Sequence, residues 1–444
     1  MKQIKILHIT PHLGGGVGRV LLNYLAKAKY DSSFIHKLAC LDYANDNAID
    51  IAQNIGILLN DRLAANIPKL LKMIIQADIV LIHWWNHPLL YNFLVRTEIP
   101  PCRLLIWSHI SGFYPPYIFT DKILQYPDLF VFTTPVSYET KEVKSLSDEY
   151  KKNLRVVWST GGVKHVKEVK YQPHKGFNIG YIGTVDYCKM HPDFLNMCSM
   201  IDIPDVKFIV CGGDKENEIY KEAEQIGISD KFIFTGLIKD INKYLSIFDV
   251  FGYPLAPYHY GTCDQVLAES MACGVVPVVL SNRMETYMVK DGITGIVVDT
   301  KEDYAKAIKK LYFDNDFRYQ LSKNAKEYAH KFFSLEVITR EWERVFKDSI
   351  KYHKISRKWI TSKSNNEISA CDVFLESLGD YGDDFKAYCK SVDRAELQKH
   401  AEKIRLLGRS HIWHTQTRGT VHHYKYFFPK DNYLQIWSQL MKYK

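Results

Sequence analysis

The sequence predicts an α/β protein built from two doubly wound parallel sheets in tandem, followed by a small extension of different character. Three observations carry that expectation. Strand-sized apolar runs alternate with helix-periodic segments, the pattern of parallel sheets covered by helices on both faces. The alternation occurs twice, on either side of a polar, glycine-bearing stretch at residues 159–176. The chain has 444 residues, more than one ordinary core accommodates.

In the first half, strands are expected at 4–10, 34–41, 79–83, 104–108, 129–133 and 155–158, with helical stretches such as 17–28 and 67–76 between them. The second half repeats the scheme, with strands at 178–183, 207–211, 231–235, 250–253, 276–280 and 296–298. Its helices are expected at 216–225, 241–248, 266–272 and 303–313. The resulting division is an N-terminal domain at 1–165, a second domain at 176–333, and an amphipathic helix at 334–352 that returns to the first domain. Residues 353–444 form a basic, aromatic-rich accessory extension. Ligands of such sheets bind beyond the carboxyl ends of the strands, which points to a cleft between the two halves.

Composition excludes several classes. Hydrophobic residues make up 46%, aromatics 13% and charged residues 24%, a balance that fills cores and does not belong to disordered, collagenous or coiled-coil chains. The longest apolar runs, such as 79–82 and 275–280, fall far short of the ~20 residues a membrane helix needs. The first residues run directly into a strand pattern, so no export signal is expected. Nine scattered cysteines without C-x-x-C spacing read as reduced thiols in a cytoplasm. Net charge is +8, and residues 354–444 hold 16 Lys and Arg against 10 Asp and Glu, so most of the excess belongs to the tail. Such a tail suits a solvated surface or contact with anionic head groups. Its His, Arg and aromatic residues lack a recognised nucleic-acid module, and nucleic acid is not an expected partner.

Two segments have the residues for anion binding. Gly14-Gly15-Gly16-Val17-Gly18 follows the first strand and opens a helix, where backbone N–H groups and the helix dipole face an anion. A G-x-G-x-x-G frame from Gly14 puts Arg19 at the third glycine, and one from Gly16 puts Leu21 there, which argues against a dinucleotide site. A flexible turn and a close approach of backbone to a phosphate or sugar both fit this loop. Residues 257–274 read PYHYGTCDQVLAESMACG: a strand end, a loop, then a helix with Asp264 at its start. Free N–H groups near Gly261, Thr262 and Cys263 would cradle a diphosphate. Glu269, just over one turn into the helix, is placed to accept hydrogen bonds from ribose hydroxyls.

Aromatic runs at 83–87 (HWWNH) and 113–117 (FYPPY) follow first-half strands, where an acceptor platform belongs; ordinary packing gives the same pattern. His83 and His87 lack the Cys or carboxylate set of a metal site. No D-x-D stands at a strand end, and the acidic 380–384 turn reads as solvated, so no metal is expected.

Taken in order, GGGVGRVLLNYLAKA, IGYIGTVDYCK, KFIVCGGD, KFIFTGLIKDI and AESMACGVVPVVLSNRMETYMVKDGITGIVV resemble the retaining GT-B glycosyltransferases of glycosyltransferase family 4, over roughly residues 1–350. The resemblance implies two Rossmann-like domains. It places the family's glycine-rich loop on Gly15 and Gly16, its first-domain histidine on His109, its phosphate-binding lysine on Lys189 and a ribose-binding glutamate on Glu269. Base contacts fall near Leu237 and Ile238. Two positions depart: the usual phosphate-binding arginine is Thr184, and the first glutamate of E-x7-E is Gly261. His259, Tyr260, Thr262 and Asp264 are the available substitutes, with Thr262 and the loop amides taking phosphate load and Asp264 contacting the sugar.

The implied reaction is retaining, metal-independent transfer of a sugar from a UDP- or GDP-linked donor to a cell-surface glycan or glycolipid, as in polysaccharide or lipopolysaccharide biosynthesis. His109, Lys189 and Asp264 are the expected catalytic groups, and no cofactor beyond the nucleotide sugar is implied. The expected place is the cytoplasm, with peripheral contact at the inner face of the membrane. The alternative is a non-catalytic GT-B-like partner subunit that binds nucleotide or glycan.

Overall fold

A computed structural model describes residues 3–31, 33–166, 169–364 and 366–442. The chain divides into two compact units, Met1–Ser159 with Thr339–Lys444, and Thr160–Ile338.

The first unit holds a seven-stranded parallel sheet of β1 (Ile4–Thr10), β2 (Phe34–Cys40), β3 (Leu58–Asn60), β4 (Ile79–Trp84), β5 (Leu104–Ser108), β6 (Leu129–Phe132) and β7 (Leu154–Val156). Their spatial order is β7-β6-β5-β4-β1-β2-β3. The chain starts in the middle, runs to one edge and then crosses β1 to build the other side, which makes β1/β4 the topological switch point. Every residue of β4 is buried, as a strand covered on both faces requires. The edge strand β3 and the helix Asp46–Asn54 are absent from the expected elements. The strand is only three residues long, pairs on one side only, and its residues are exposed or half-buried.

Residues after 338 complete this unit. Trp342 of the helix Leu335–Ser349 packs edge-on to Trp107, with ring centroids 4.9 Å apart. Strand Ile355–Arg357 pairs antiparallel with Ile99–Cys102. It buries Arg357, whose Nη2 lies 2.6 Å from Asp128 Oδ1 and whose Nη1 donates to the Cys102 carbonyl at 3.0 Å. A buried guanidinium is tolerated here because its donors are matched. A Ser369/Asp372 capping box starts the helix Ala370–Leu378. At Gly419, φ is +80° and a Cβ would fall 2.1 Å from the Asn86 carbonyl oxygen, so only glycine permits this approach to the loop after β4. The helix Val421–Phe427 then sets His423 and Phe427 against His87, with ring centroids 4.8 and 5.1 Å away.

The second unit is a six-stranded parallel sheet of β8 (Phe177–Ile182), β9 (Val206–Cys211), β10 (Phe232–Gly236), β11 (Val250–Tyr253), β12 (Val276–Leu280) and β13 (Ile296–Val298), ordered β10-β9-β8-β11-β12-β13. Its switch point lies between β8 and β11, and the loops leaving those strands meet there through Met190 and Leu255. The helix expected at 241–248 is a single turn, Asn242–Leu245. The fold is two Rossmann-like doubly wound domains, as the sequence leads one to expect. Among the described residues no helix is long and apolar enough to cross a membrane.

Candidate functional site

The loop after β8 brings Lys189 to the switch point. Its carbonyl accepts from Ala256 N–H at 2.8 Å and His191 N–H donates to Pro254 O at 3.0 Å, which joins this loop to the one after β11. The Lys189 side chain is buried, and Nζ lies 3.1 Å from Asp264 Oδ1. The Tyr253 hydroxyl donates to Asp264 Oδ2 at 3.1 Å. The rings of Tyr260 and Tyr253 flank the ammonium, with centroids 5.5 and 5.7 Å from Nζ, an arrangement that attracts a desolvated cation. Burial pushes the Asp264 carboxyl up, but Lys189, then His259, outweigh it and hold the group below the usual carboxylate range. Burial keeps the Tyr253 phenol protonated, so it stays a donor.

Gly261 explains the missing glutamate. A Cβ there would sit 2.9 Å from His259 Nδ1 and 3.0 and 3.1 Å from the two Asp264 carboxylate oxygens. Asp264 thus fills the space into which a side chain at 261 would grow. The Gly261 N–H donates to His259 Nδ1 at 3.0 Å. That nitrogen is therefore bare, and Nε2 carries the proton that faces Glu285 Oε2 at 3.2 Å. His259, Asp264 and Glu285 bring one donor atom each within 4.8 Å of one another. As a metal set they fit poorly, since the Lys189 ammonium holds Asp264 and the Gly261 amide holds the free lone pair of His259.

The nine-residue helix Gln265–Cys273 begins beside this pair, and its N-cap Asp264 makes no side-chain capping bond. The carboxylate turns back to Lys189 instead, so the first amides of the helix stay uncapped by it, with Thr262 buried and Cys263 half-buried just before them. Thr184 Oγ1 lies 2.9 Å from the Tyr260 hydroxyl, which ties the position of the absent arginine into the same cluster. Leu237 is 83% exposed and Ile238 half-buried at the end of β10. Glu269 is buried deeper in the helix, and its Oε1 is held by His165 Nε2 at 2.8 Å and Gln265 Nε2 at 3.0 Å.

In the first unit, Gly15 and Gly16 form the exposed start of the helix Gly15–Ala28. Gly15 has φ +65°, and a Cβ at either position would meet nothing within 4 Å, leaving the backbone open to approach. His109 follows β5 and uses both ring nitrogens inside the unit, Nε2 with His83 Nδ1 at 3.2 Å and Nδ1 with Ser159 Oγ at 3.2 Å. A sugar hydroxyl at Nδ1 would have to take the place of Ser159. His83 and His87 lie in separate networks: His83 joins His8 and His109, and His87 accepts from Leu89 N–H.

Residues 164–328 match the family model described as glycosyl transferases group 1. The lipopolysaccharide core biosynthesis glycosyltransferase LpsE of Rhizobium meliloti (strain 1021) is 29% identical over 140 residues, 31% of this chain and 40% of that protein. The putative glycosyltransferase YtcC of Bacillus subtilis (strain 168) is 28% identical over 162 residues, 32% of this chain and 38% of that protein. The match therefore spans about two fifths of these curated relatives. Among solved structures, Alr3699/HepE of Anabaena in complex with UDP-glucose aligns with TM-score 0.62 and 16% identity over 78% of this chain and 100% of that one. Sucrose-phosphate synthase of Thermosynechococcus elongatus aligns with TM-score 0.60 and 15% identity over 78% and 99%. The fold is GT-B.

Within the matched segment, Lys189, Asp264, Gly261 and Thr262 come together at the switch point. Tyr253, Gln265 and His165 belong with them and were not singled out in the sequence. Tyr253 reads as the end of a buried strand, Gln265 as ordinary helix, and His165 as loop, so nothing local marks them; Gln265 beside Asp264 was the nearest signal.

Proposed function

We propose that this chain is a retaining glycosyltransferase that moves a sugar from a UDP- or GDP-linked donor to a cell-surface glycan or glycolipid without a divalent ion. The observation that carries the reading is the buried Lys189 ammonium beside an uncapped helix start, at the switch point of a glycosyl transferases group 1 domain. UDP is the favoured nucleotide, since HepE binds UDP-glucose in its crystal structure.

As the bond between sugar carbon and phosphate oxygen breaks, negative charge grows on the departing diphosphate. Lys189 and the amides near Thr262, Cys263 and Asp264 meet that charge, and each well-placed donor is worth ~3–4 kcal/mol in a dry site. Lys189 would exchange part of its pairing with Asp264 for phosphate, and Asp264 would turn to a sugar hydroxyl. Ribose hydroxyls would replace His165 or Gln265 on Glu269. The acceptor hydroxyl attacks from the face the diphosphate leaves, and its proton passes to the leaving phosphate oxygen, so configuration is retained with no covalent enzyme intermediate. The basic residues beyond 353 suit peripheral contact with an anionic membrane carrying the acceptor.

Thermal-shift screening against UDP-, GDP-, ADP- and CMP-sugars tests the donor, because a ligand that binds only the folded state raises its melting temperature. A shift with uridine or guanosine donors and release of nucleotide with an acceptor is expected; no shift with any of the four contradicts the reading. A second reading, a binding subunit without turnover, draws on Thr184, on Gly261 and on the His165 and Gln265 contacts that occupy Glu269. Donor binding with no nucleotide release for any glycan or glycolipid acceptor would favour it.

A further inference from the structure

Four histidines, only one of them drawn into the site above, cross the first unit's sheet in a single line. His36 lies on β2, His8 on β1, His83 on β4 and His109 just beyond β5. The register sets the line: His36 pairs with Ile6, His8 with Leu81 and His83 with Trp107. Each partner is two residues before the next histidine, so a step of two per strand keeps all four side chains on one face while the line climbs toward the carboxyl edge. Successive ring centroids are 5.1, 5.3 and 5.5 Å apart, close to the ~4.8 Å spacing of neighbouring strands.

The contacts form an unbroken chain. His36 Nδ1 lies 2.9 Å from His8 Nε2, His8 Nδ1 lies 3.1 Å from His83 Nε2, and His83 Nδ1 lies 3.2 Å from His109 Nε2. The far nitrogen of His109, Nδ1, ends on Ser159 Oγ at 3.2 Å. Burial holds His83 down to about 3 and His36 down to about 4, and holds His8 and His109 well below the usual range, so all four are neutral near pH 7. A neutral imidazole offers one N–H and one bare nitrogen. Each contact needs one of each, so the tautomer of any one ring dictates those of the other three.

We propose that His36, His8 and His83 are positioning residues that fix the tautomer of His109 through this line, with a proton on His109 Nε2 and a bare Nδ1 facing Ser159. The polarity follows from the rings themselves: one direction of the line puts all four protons on Nε2 and the other puts all four on Nδ1, and a neutral histidine intrinsically prefers the proton on Nε2. With His36 Nε2 protonated, His36 Nδ1 accepts from His8 Nε2, His8 Nδ1 from His83 Nε2, and His83 Nδ1 from His109 Nε2. Reversal would move one proton across each link, with His109 Nδ1 gaining one and His36 Nε2 losing one. The bare Nδ1 is an acceptor for the Ser159 hydroxyl or for a sugar hydroxyl that replaces it. That last consequence rests on the proposed glycosyl transfer; the coupling of tautomers does not.

Long-range proton–nitrogen correlation spectra of the full chain with 15N-labelled histidine rings separate bare from protonated ring nitrogens. The wild-type spectrum is expected to place the proton of all four rings on Nε2, and any other assignment overturns the proposal. His36→Phe is expected to turn His109 from this single form into a mixture, whereas Ser159→Ala leaves it unchanged. A His109 that ignores His36→Phe overturns the proposal as well. Failure to bind any nucleotide sugar would remove the proposed function and leave these spectra as predicted. The wild-type assignment decides the matter if the His36 variant does not fold.

Discussion

Near the switch point of its sheet, the second unit buries permanent charges, whereas the first buries neutral imidazoles. Lys189 and Asp264 stay ionised because each is within 3.1 Å of the other and Tyr253 donates to the carboxylate. His8, His36, His83 and His109 stay neutral because burial disfavours a positive charge there by more than the Asp31 carboxylate near His36 favours it. The same topology thus holds an ionised pair in one unit and a line of neutral imidazoles in the other.

The largest expected effect is at the charged site. Lys189→Met should lower sugar transfer by about 10²–10³-fold. It should also cost about 3–5 kcal/mol of stability, because Asp264 is left buried and unpaired. Adding Asp264→Asn should recover most of the urea unfolding midpoint without recovering transfer. Recovery of both would show that the ammonium serves packing alone.

Acid should separate the two units next. The folded pKa values of His36 and His83, about 4 and about 3, lie below those of the unfolded chain, so the unfolded state binds more protons as pH falls below ~6.5. Stability is then full above that pH and declines toward pH 4, by about 2 kcal/mol per buried imidazole at pH 5. Asp264, whose folded pKa is depressed, contributes stability above its unfolded pKa, and this is lost only at pH values below the ordinary carboxylate range. Unfolding midpoints measured from pH 7 to pH 3 should therefore fall in two stages, the first reduced by His83→Phe. A flat profile from pH 7 to pH 5 would contradict the neutral line.

Smaller effects follow from space. Gly261→Ala should cost about 1–3 kcal/mol through overlap with His259 and Asp264. Leu237→Ser, at an 83% exposed position, should change the unfolding free energy by no more than about 0.5 kcal/mol. A change in nucleotide affinity in that variant would mark a base contact at the end of β10.

The buried strands were legible in the sequence because parallel strands need continuous apolar runs, as in Ile79, Val80, Leu81 and Ile82. The edge strand β3 was not, since it is only three residues long and ends on the polar Asn60. Lys189 was readable by its place in a resembling motif and Asp264 as the acidic residue at the start of the helix after the 257–263 loop, but their pairing spans 75 positions and depends on two loops meeting between β8 and β11. The histidine line was hidden for a similar reason. His8, His36, His83 and His109 stand in four separate strand patterns, and only strand order plus register reveals that each is two residues beyond the last one's partner.

Calorimetric titration of the full chain with UDP and with uridine, in the wild type and in Lys189→Met, tests the central claim most directly. If Lys189 and the neighbouring amides hold a diphosphate, UDP binds the wild type far more tightly than uridine does, and most of that difference disappears in the variant. An equal advantage of UDP over uridine in both proteins would contradict the account.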